Sequence, residues 1–360
     1  MTNKNKPTSW RACGVLLIAA TLIYPSTVLH ASQKLTLLIW EDYLSDAVIE
    51  RWQSETGVEI QQVYFDSGDK RDEILAKPDH QIDITLTERM SSTRFGAREL
   101  LEPLDITKVP ALRHIPQRWR DRCSAYSVPY LWGTLGIAYR ADRIITAPRS
   151  WADLLKPARH NQPHILMMED HEDILVPPLI LLQRSINTSD IDELKAAYEL
   201  LKAQSPAVLS YKYAITSLRN EHLLEQADMA LAYSGDQLAL NAIEGVTGEP
   251  WRYAVPEEGT LLWVDCLSVP TISSNKALAY RFLNFLHKPE IAALNAADLE
   301  VATPNAAARA LLPANIRQDS SIYPTDDVLA RSQTVELRPT EATQTRRRII
   351  SALINAHDAR

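Results

Sequence analysis

Short apolar runs bounded by turn residues alternate along this chain with stretches whose apolar positions recur every three or four residues, the pattern of strands alternating with amphipathic helices. Residues 35–40 read as a first strand that runs into Glu41-Asp42-Tyr43. Ser45 then opens a helix carrying Val48, Ile49 and Trp52, and Gly57 ends it. Residues 58–64 predict a second strand, 70–76 a helix and 81–86 a third strand. This order predicts a parallel α/β sheet, whose ligands bind beyond the carboxyl ends of the strands. Residues 40–43 and 87–90 fall at that edge. The β-rich stretch 126–139 reads as a strand crossing between two lobes.

A second α/β region begins near residue 140. It has a helix at 151–155, a strand at 165–168 with Asp170 to Asp173 in the loop after it, and a helix capped by Ser189. A further strand, 229–233, is followed by Ser234-Gly235-Asp236. The stretch 260–270 has the strongest pattern. It is an apolar strand between the turn Pro256-Glu-Glu-Gly259 and Pro270, and it holds Trp263 and Asp265 at i and i+2. Alternation puts both on one face. A carboxylate in such a strand needs a partner or a wet cleft. Asn275 caps the next helix, and Pro289 stops it and opens another. The tail 340–356 reads as helical with Arg346, Arg347 and Arg348 on a solvated face.

The N-terminus breaks the pattern. Lys4, Lys6 and Arg11 precede an apolar run, 14–24, too short to span a bilayer, and small residues follow. This predicts a secretory signal over 1–31, cleaved after Ala31, and a periplasmic mature protein. Cys13 stands at the wrong end of the run for a lipid anchor. Losing three basic residues and no acidic one takes the formal charge from −7 to −10, which argues against nucleic acid and suits cationic ligands. Cys123 and Cys266 remain; an exported pair is free to bond, but spacing alone does not bring them together.

Three places pair an aromatic with an acid at a strand end: Trp40 with Asp42, Tyr233 with Asp236, and Trp263 with Asp265. Asp170 and Asp173 add carboxylates on a fourth loop. Singly, each aromatic reads as core and each Asp as a turn or helix cap. Their recurrence at one edge of successive units argues for a shared cleft. His160 and His164 lie four apart, but Pro163 between them argues against a helical metal pair. No nucleophile elbow, phosphate loop or convincing Ser-His-Asp set points to an enzyme.

The chain resembles the bacterial periplasmic polyamine-binding proteins, the spermidine/putrescine receptors of ABC importers. The likeness rests on Ile39-Trp40-Glu41-Asp42-Tyr43 with Glu55-Thr-Gly57-Val58, on Val128-Pro-Tyr-Leu-Trp-Gly133, and on Ser150-Trp-Ala-Asp-Leu154. The stretch 256–270, and Thr303-Pro-Asn-Ala-Ala307 with Tyr323-Pro324, extend it through residues 34–335. The resemblance implies a type II periplasmic binding fold: two α/β lobes joined by hinge strands, with ligand between them. Lobe 1 is expected over 32–137 and 265–309, lobe 2 over 138–264 and 310–360. It also implies a ligand site of Trp40, Asp42, Tyr43, Asp170, Asp173, Tyr233, Asp236, Trp263 and Asp265, with no cofactor and no metal. The expected protein is a monomer that passes a polyamine to an inner-membrane permease. The alternative is a sensor that docks on a membrane signalling receptor.

The physics agrees: carboxylates take ammonium groups by charge-assisted hydrogen bonds, and aromatic faces cover methylenes and attract cations. The chain departs from the family's pattern at Glu88-Arg89-Met90, where Ser-x-Tyr is usual, and at Val301, where a Tyr is common. Glu88 is therefore expected as an added ligand acid favouring a triamine, against the plainer reading that it pairs with Arg89 or another surface base.

Overall fold

A computed structural model describes residues 1–2, 33–65, 67–157, 163–220 and 223–359. The expected signal segment and His160 lie outside the described residues. Among the described residues nine strands form one sheet: β1 (Lys34–Ile39), β2 (Glu59–Tyr64), β3 (Ile84–Thr87), β4 (Ser127–Arg140), β5 (Ile165–Leu166), β6 (Val208–Ser210), β7 (Met229–Tyr233), β8 (Trp251–Ala254) and β9 (Leu262–Ser268). The order is β2-β1-β3-β9-β4-β7-β5-β6, with β8 also on β4.

The sheet divides at β4. β1 pairs parallel with β2 and β3, whereas β9 runs antiparallel between β3 and β4. Residues 127–134 of β4 pair with β9, and 135–139 pair with β7. One unbroken strand thus belongs to both lobes. A first hydrophobic core gathers around Leu37, Trp52, Ile84, Trp132 and Leu267, and a second around Leu135, Trp151, Leu179 and Leu231. A smaller third cluster packs Ala232, Leu240 and Trp251 on the other face of the second lobe. The changeover falls between Trp132 and Leu135 on β4 and between Leu261 and Leu262 at β9. A third crossing lies at Gln333, whose N–H donates to Thr260 O and whose carbonyl accepts from Leu262 N. It comes later than the 309/310 boundary expected from sequence, because Leu312, Ile316, Ile322 and Tyr323 still pack in the first core. No helix among the described residues is long and apolar enough to cross a membrane.

Cys123 and Cys266 form a disulfide with Cα atoms 6.1 Å apart, closing a loop with 143 residues of sequence separation. Several local readings hold: Gly57 ends the helix Asp46–Thr56 in the left-handed region, and helices Lys276–Leu286 and Pro289–Leu299 meet at Pro289. Others need correction. Ser45 and Asn275 stand at the N-cap positions without capping by side chain: Ser45 Oγ donates to Asp298, and Asn275 Nδ2 reaches Asp83 Oδ2 at 3.2 Å. The helix Ile191–Gln204 is capped by Asp190, not Ser189; its Oδ1 accepts from the N–H groups of Asp192 and Glu193. Arg346 is fully buried rather than solvated. It donates to Ile186 O at 2.6 Å, Thr188 O at 2.9 Å and Glu172 Oε2 at 3.2 Å, so the helix Thr340–Asp358 is pinned to the second lobe. Arg347 and Arg348 are exposed.

Candidate ligand cleft between the lobes

The acids sit where the strands end. Residues 40–43 follow β1 and Glu88 follows β3 in the first lobe; the 170–173 loop follows β5 and Asp236 follows β7 in the second. β9 places Trp263 and Asp265 on one face at the junction.

In the first lobe Tyr43 donates its hydroxyl to Asp265 Oδ2 at 2.6 Å. Tyr43 is itself fixed by Tyr130, whose hydroxyl donates to Tyr43 O at 2.8 Å, accepts from Asn295 Nδ2 at 2.9 Å and carries a ring edge-on to Tyr43. Tyr130 reaches that far because the β4–β9 register shifts between Pro129 and Leu131, a bulge that re-aims the side chain. Asp265 is buried, and its carboxyl is pushed up to about 7 by burial first and then by the Glu88 charge, against the pull of Tyr43 and Arg71.

The second lobe repeats the device. Tyr233 donates to Asp173, and Tyr213 to Asp236 Oδ1; Asp236 Oδ2 also accepts from Tyr233 N at 2.7 Å. Asp170 shapes its loop by accepting from the N–H groups of Glu172 and Asp173. Burial, then the neighbouring Asp170 charge, pushes the Asp173 carboxyl up to about 8, despite the Tyr233 hydrogen bond. Burial pushes Asp236 to about 6, against the two donors it accepts from. The two halves face each other across the cleft: Tyr43 is raised well above a free phenol by burial and by Asp265, and Asp236 of the other lobe adds to this.

Trp263 bridges the halves. Its Nε1 donates to Thr134 O at 3.3 Å, and its ring lies across Gly133, where a Cβ would stand 2.2 Å from Trp263 Cζ2 and from Ser234 Oγ. Close approach of that indole is what requires glycine at 133. Val301 lies beside Gly235 at the junction.

The structure thus joins Tyr43 to Asp265, and Asp173, Tyr233 and Asp236 to one another, with Trp263 seated at Gly133 where the lobes meet. Glu88 borders the first set but is paired with the buried Arg71 at 2.8 Å, not with Arg89, which reaches Asp121 O. Trp40 packs on Phe65 with ring centroids 4.2 Å apart. Asp42 is exposed in the left-handed region at φ 54°, on a shallow depression shared with Ser45, Asp46, Glu50 and Asp298. Tyr130, Tyr213, Asn295 and Arg71 were not singled out in the sequence. Tyr130 lies within a matched motif; the other three carry no local signal.

The chain is similar to known proteins along most of its length. Residues 79–331 match the family model of bacterial extracellular solute-binding proteins. The norspermidine sensor of Vibrio cholerae is 34% identical over 346 residues, covering 96% of this chain and 94% of that protein. The spermidine/putrescine-binding periplasmic protein of Salmonella typhimurium is 27% identical, covering 88% and 91%. Among solved structures, the spermidine/putrescine ABC transporter substrate-binding protein of Streptococcus pneumoniae superposes with a TM-score of 0.80 at 26% identity, covering 91% of this chain and all of that one. The chain belongs to the bacterial extracellular solute-binding proteins, in the company of the periplasmic polyamine-binding proteins.

Proposed function

We propose that this protein is a periplasmic polyamine receptor that closes its lobes over an aliphatic di- or triamine. The observation that carries the reading is the tyrosine-tethered carboxylates contributed by both lobes, Asp265 from one and Asp173 and Asp236 from the other, on either side of the Trp263 indole. Ammonium groups separated by methylenes suit carboxylates at both ends with aromatic surface along the way. Asp265 takes one end of the ligand, and Asp170, Asp173 and Asp236 take the other. Trp263, Tyr43 and Tyr233 line the path, with Trp40 and Asp42 at its rim. The basic N-terminal segment and the disulfide support an exported, oxidising location.

Calorimetry with putrescine, spermidine, norspermidine and spermine tests this. At least one should bind with a dissociation constant of about 1 μM or tighter, about −8 kcal/mol. Asp265→Asn should cost about 2–5 kcal/mol of that, since it keeps the shape and removes a charge facing an ammonium. No saturation by any of the four, or an Asn variant within threefold of wild type, ends the assignment.

For the step after binding, import remains the expected role, and one observation favours a second. Identity is higher to the norspermidine sensor than to the spermidine/putrescine-binding protein, 34% against 27%. A sensing role predicts that deleting the gene leaves uptake of labelled amine unchanged and alters the output of a membrane signalling receptor. A loss of uptake assigns the protein to import.

A further inference from the structure

The register of β3 against β9 brings two acids to one end of the cleft. The strands pair as Thr85↔Ser268, Leu86↔Leu267 and Thr87↔Cys266. One step further along the same register stand Glu88 and Asp265. Cβ atoms of opposed residues on antiparallel strands lie about 5 Å apart, and the Glu88 charge does raise the Asp265 carboxyl. By count, this end offers two places for an ammonium.

One of them is already filled by the protein. Arg71 is buried, and its Nη1 donates to Glu88 Oε1 at 2.8 Å while Nε and Nη2 hold Asp72 Oδ1 at 3.1 and 3.0 Å. Ser91 Oγ donates to the second Glu88 oxygen at 2.6 Å, within a capping box at the start of the helix Arg89–Ala97. The guanidinium stands 5.8 Å from the centre of the Phe65 ring, which packs on Trp40. Both Glu88 oxygens are therefore held by donors of the chain, and the cation among them has an aromatic face, as a ligand ammonium would. Burial raises the Glu88 carboxyl, but Arg71 and Ser91 outweigh it and hold it below its ordinary value.

Resting on the polyamine reading, we infer that Arg71 is a built-in cation standing where an additional ligand ammonium would go, and that it sets which polyamine the cleft selects. The amine then places a charge at Asp265 and none at Glu88. Di- and triamines fit, and the fourth charge of a tetramine meets Arg71 instead of a free carboxylate. The bland role for Arg71 is a structural pin between the helices Gly68–Leu75 and Arg89–Ala97, to which Asp72 also binds Arg94. A pin alone has no reason to tell one amine from another.

The test is calorimetry with putrescine, spermidine and spermine on wild type, Arg71→Met, Glu88→Gln and the double variant, with melting temperatures alongside. Arg71→Met frees Glu88 and should raise the spermine-to-putrescine affinity ratio at least tenfold. The double variant should return it to within threefold of wild type. Glu88→Gln leaves Arg71 facing Asp265 and should weaken all three amines by a similar factor, tenfold or more. This variant alters a half-exposed side chain and stays informative if Arg71→Met does not fold. An unchanged ratio in Arg71→Met, a ratio raised equally in the double variant, or a Glu88→Gln loss confined to the longer amines overturns the inference. Wild type that binds none of the amines fails earlier, on the polyamine reading itself.

Discussion

At the scale of single residues, three of the cleft acids combine a phenol donor with burial, and burial wins: Asp265 stands at about 7, Asp173 at about 8 and Asp236 at about 6. A ligand ammonium, with a pKa near 10 like a lysine, stays charged throughout that range. Pairing with it requires ionised carboxylates, so binding near neutral pH releases protons. Affinity should therefore rise from pH 5.5 to pH 8.5, and the apparent heat of binding should differ between phosphate and Tris buffers by the protons released. A flat affinity over that range, with buffer-independent heats, would contradict the raised values. The sign for folding is opposite. A carboxyl raised in the folded state keeps its proton where the unfolded chain has lost it, so the unliganded protein should lose stability as pH climbs from about 4 to 8. Asp236 was singled out in the sequence because it follows a strand beside Tyr233, Asp265 because it shares a strand face with Trp263, and Asp173 because it adds a carboxylate to the loop after β5. Tyr213 and Arg71 were not: the first approaches Asp236 through the fold from 23 residues away, and the second resembles any helix-surface arginine until Glu88 closes over it. Arg346 misled for the same reason, since its partners Glu172, Ile186 and Thr188 lie more than 150 residues back along the chain.

At the scale of elements, β4 is both hinge and wall. Fourteen residues long, it carries Tyr130 into the first-lobe network through a bulge and leaves at Gly133 the space that the Trp263 indole fills. Gly133→Ala should push the indole off its seat. We expect a loss of about 1–3 kcal/mol in stability from overpacking, and a drop in amine affinity of about tenfold or more. Chemical denaturation and calorimetry on one preparation separate the two; unchanged affinity would place Trp263 outside the ligand's path. The sequence pattern located seven of the nine described strands to within two or three residues, because apolar runs between turn signals are local; the short β6 and β8 were not read as strands. The caps were harder. Ser45 and Asn275 occupy cap positions, yet their side chains serve Asp298 and Asp83, partners that only tertiary packing supplies.

For the whole molecule, the described residues cross between the lobes near Leu135, Leu261 and Gln333. The boundaries expected from sequence stand at 137/138, 264/265 and 309/310, and at the last of them the short helices Ala306–Leu311 and Ala314–Arg317 look alike from either side of a lobe boundary. The disulfide ties Cys266, one residue from Asp265, to Cys123 beyond the helix Gln117–Arg120. Replacing both cysteines by serine should lower unfolding free energy by about 2–5 kcal/mol. Denaturation under non-reducing conditions measures it, and equal midpoints for the two proteins would deny the bond a stabilising role. The same bond imposes an order of events. Cys123 leaves the ribosome 143 residues ahead of its partner, and the chain in between holds most of the second lobe. The ring cannot close until that lobe has been made and the chain has come back through β9. The last helix, Thr340–Asp358, lies outside that ring in the sequence and is held to the second lobe by buried Arg346, so the bond constrains its partner lobe without enclosing the helix itself.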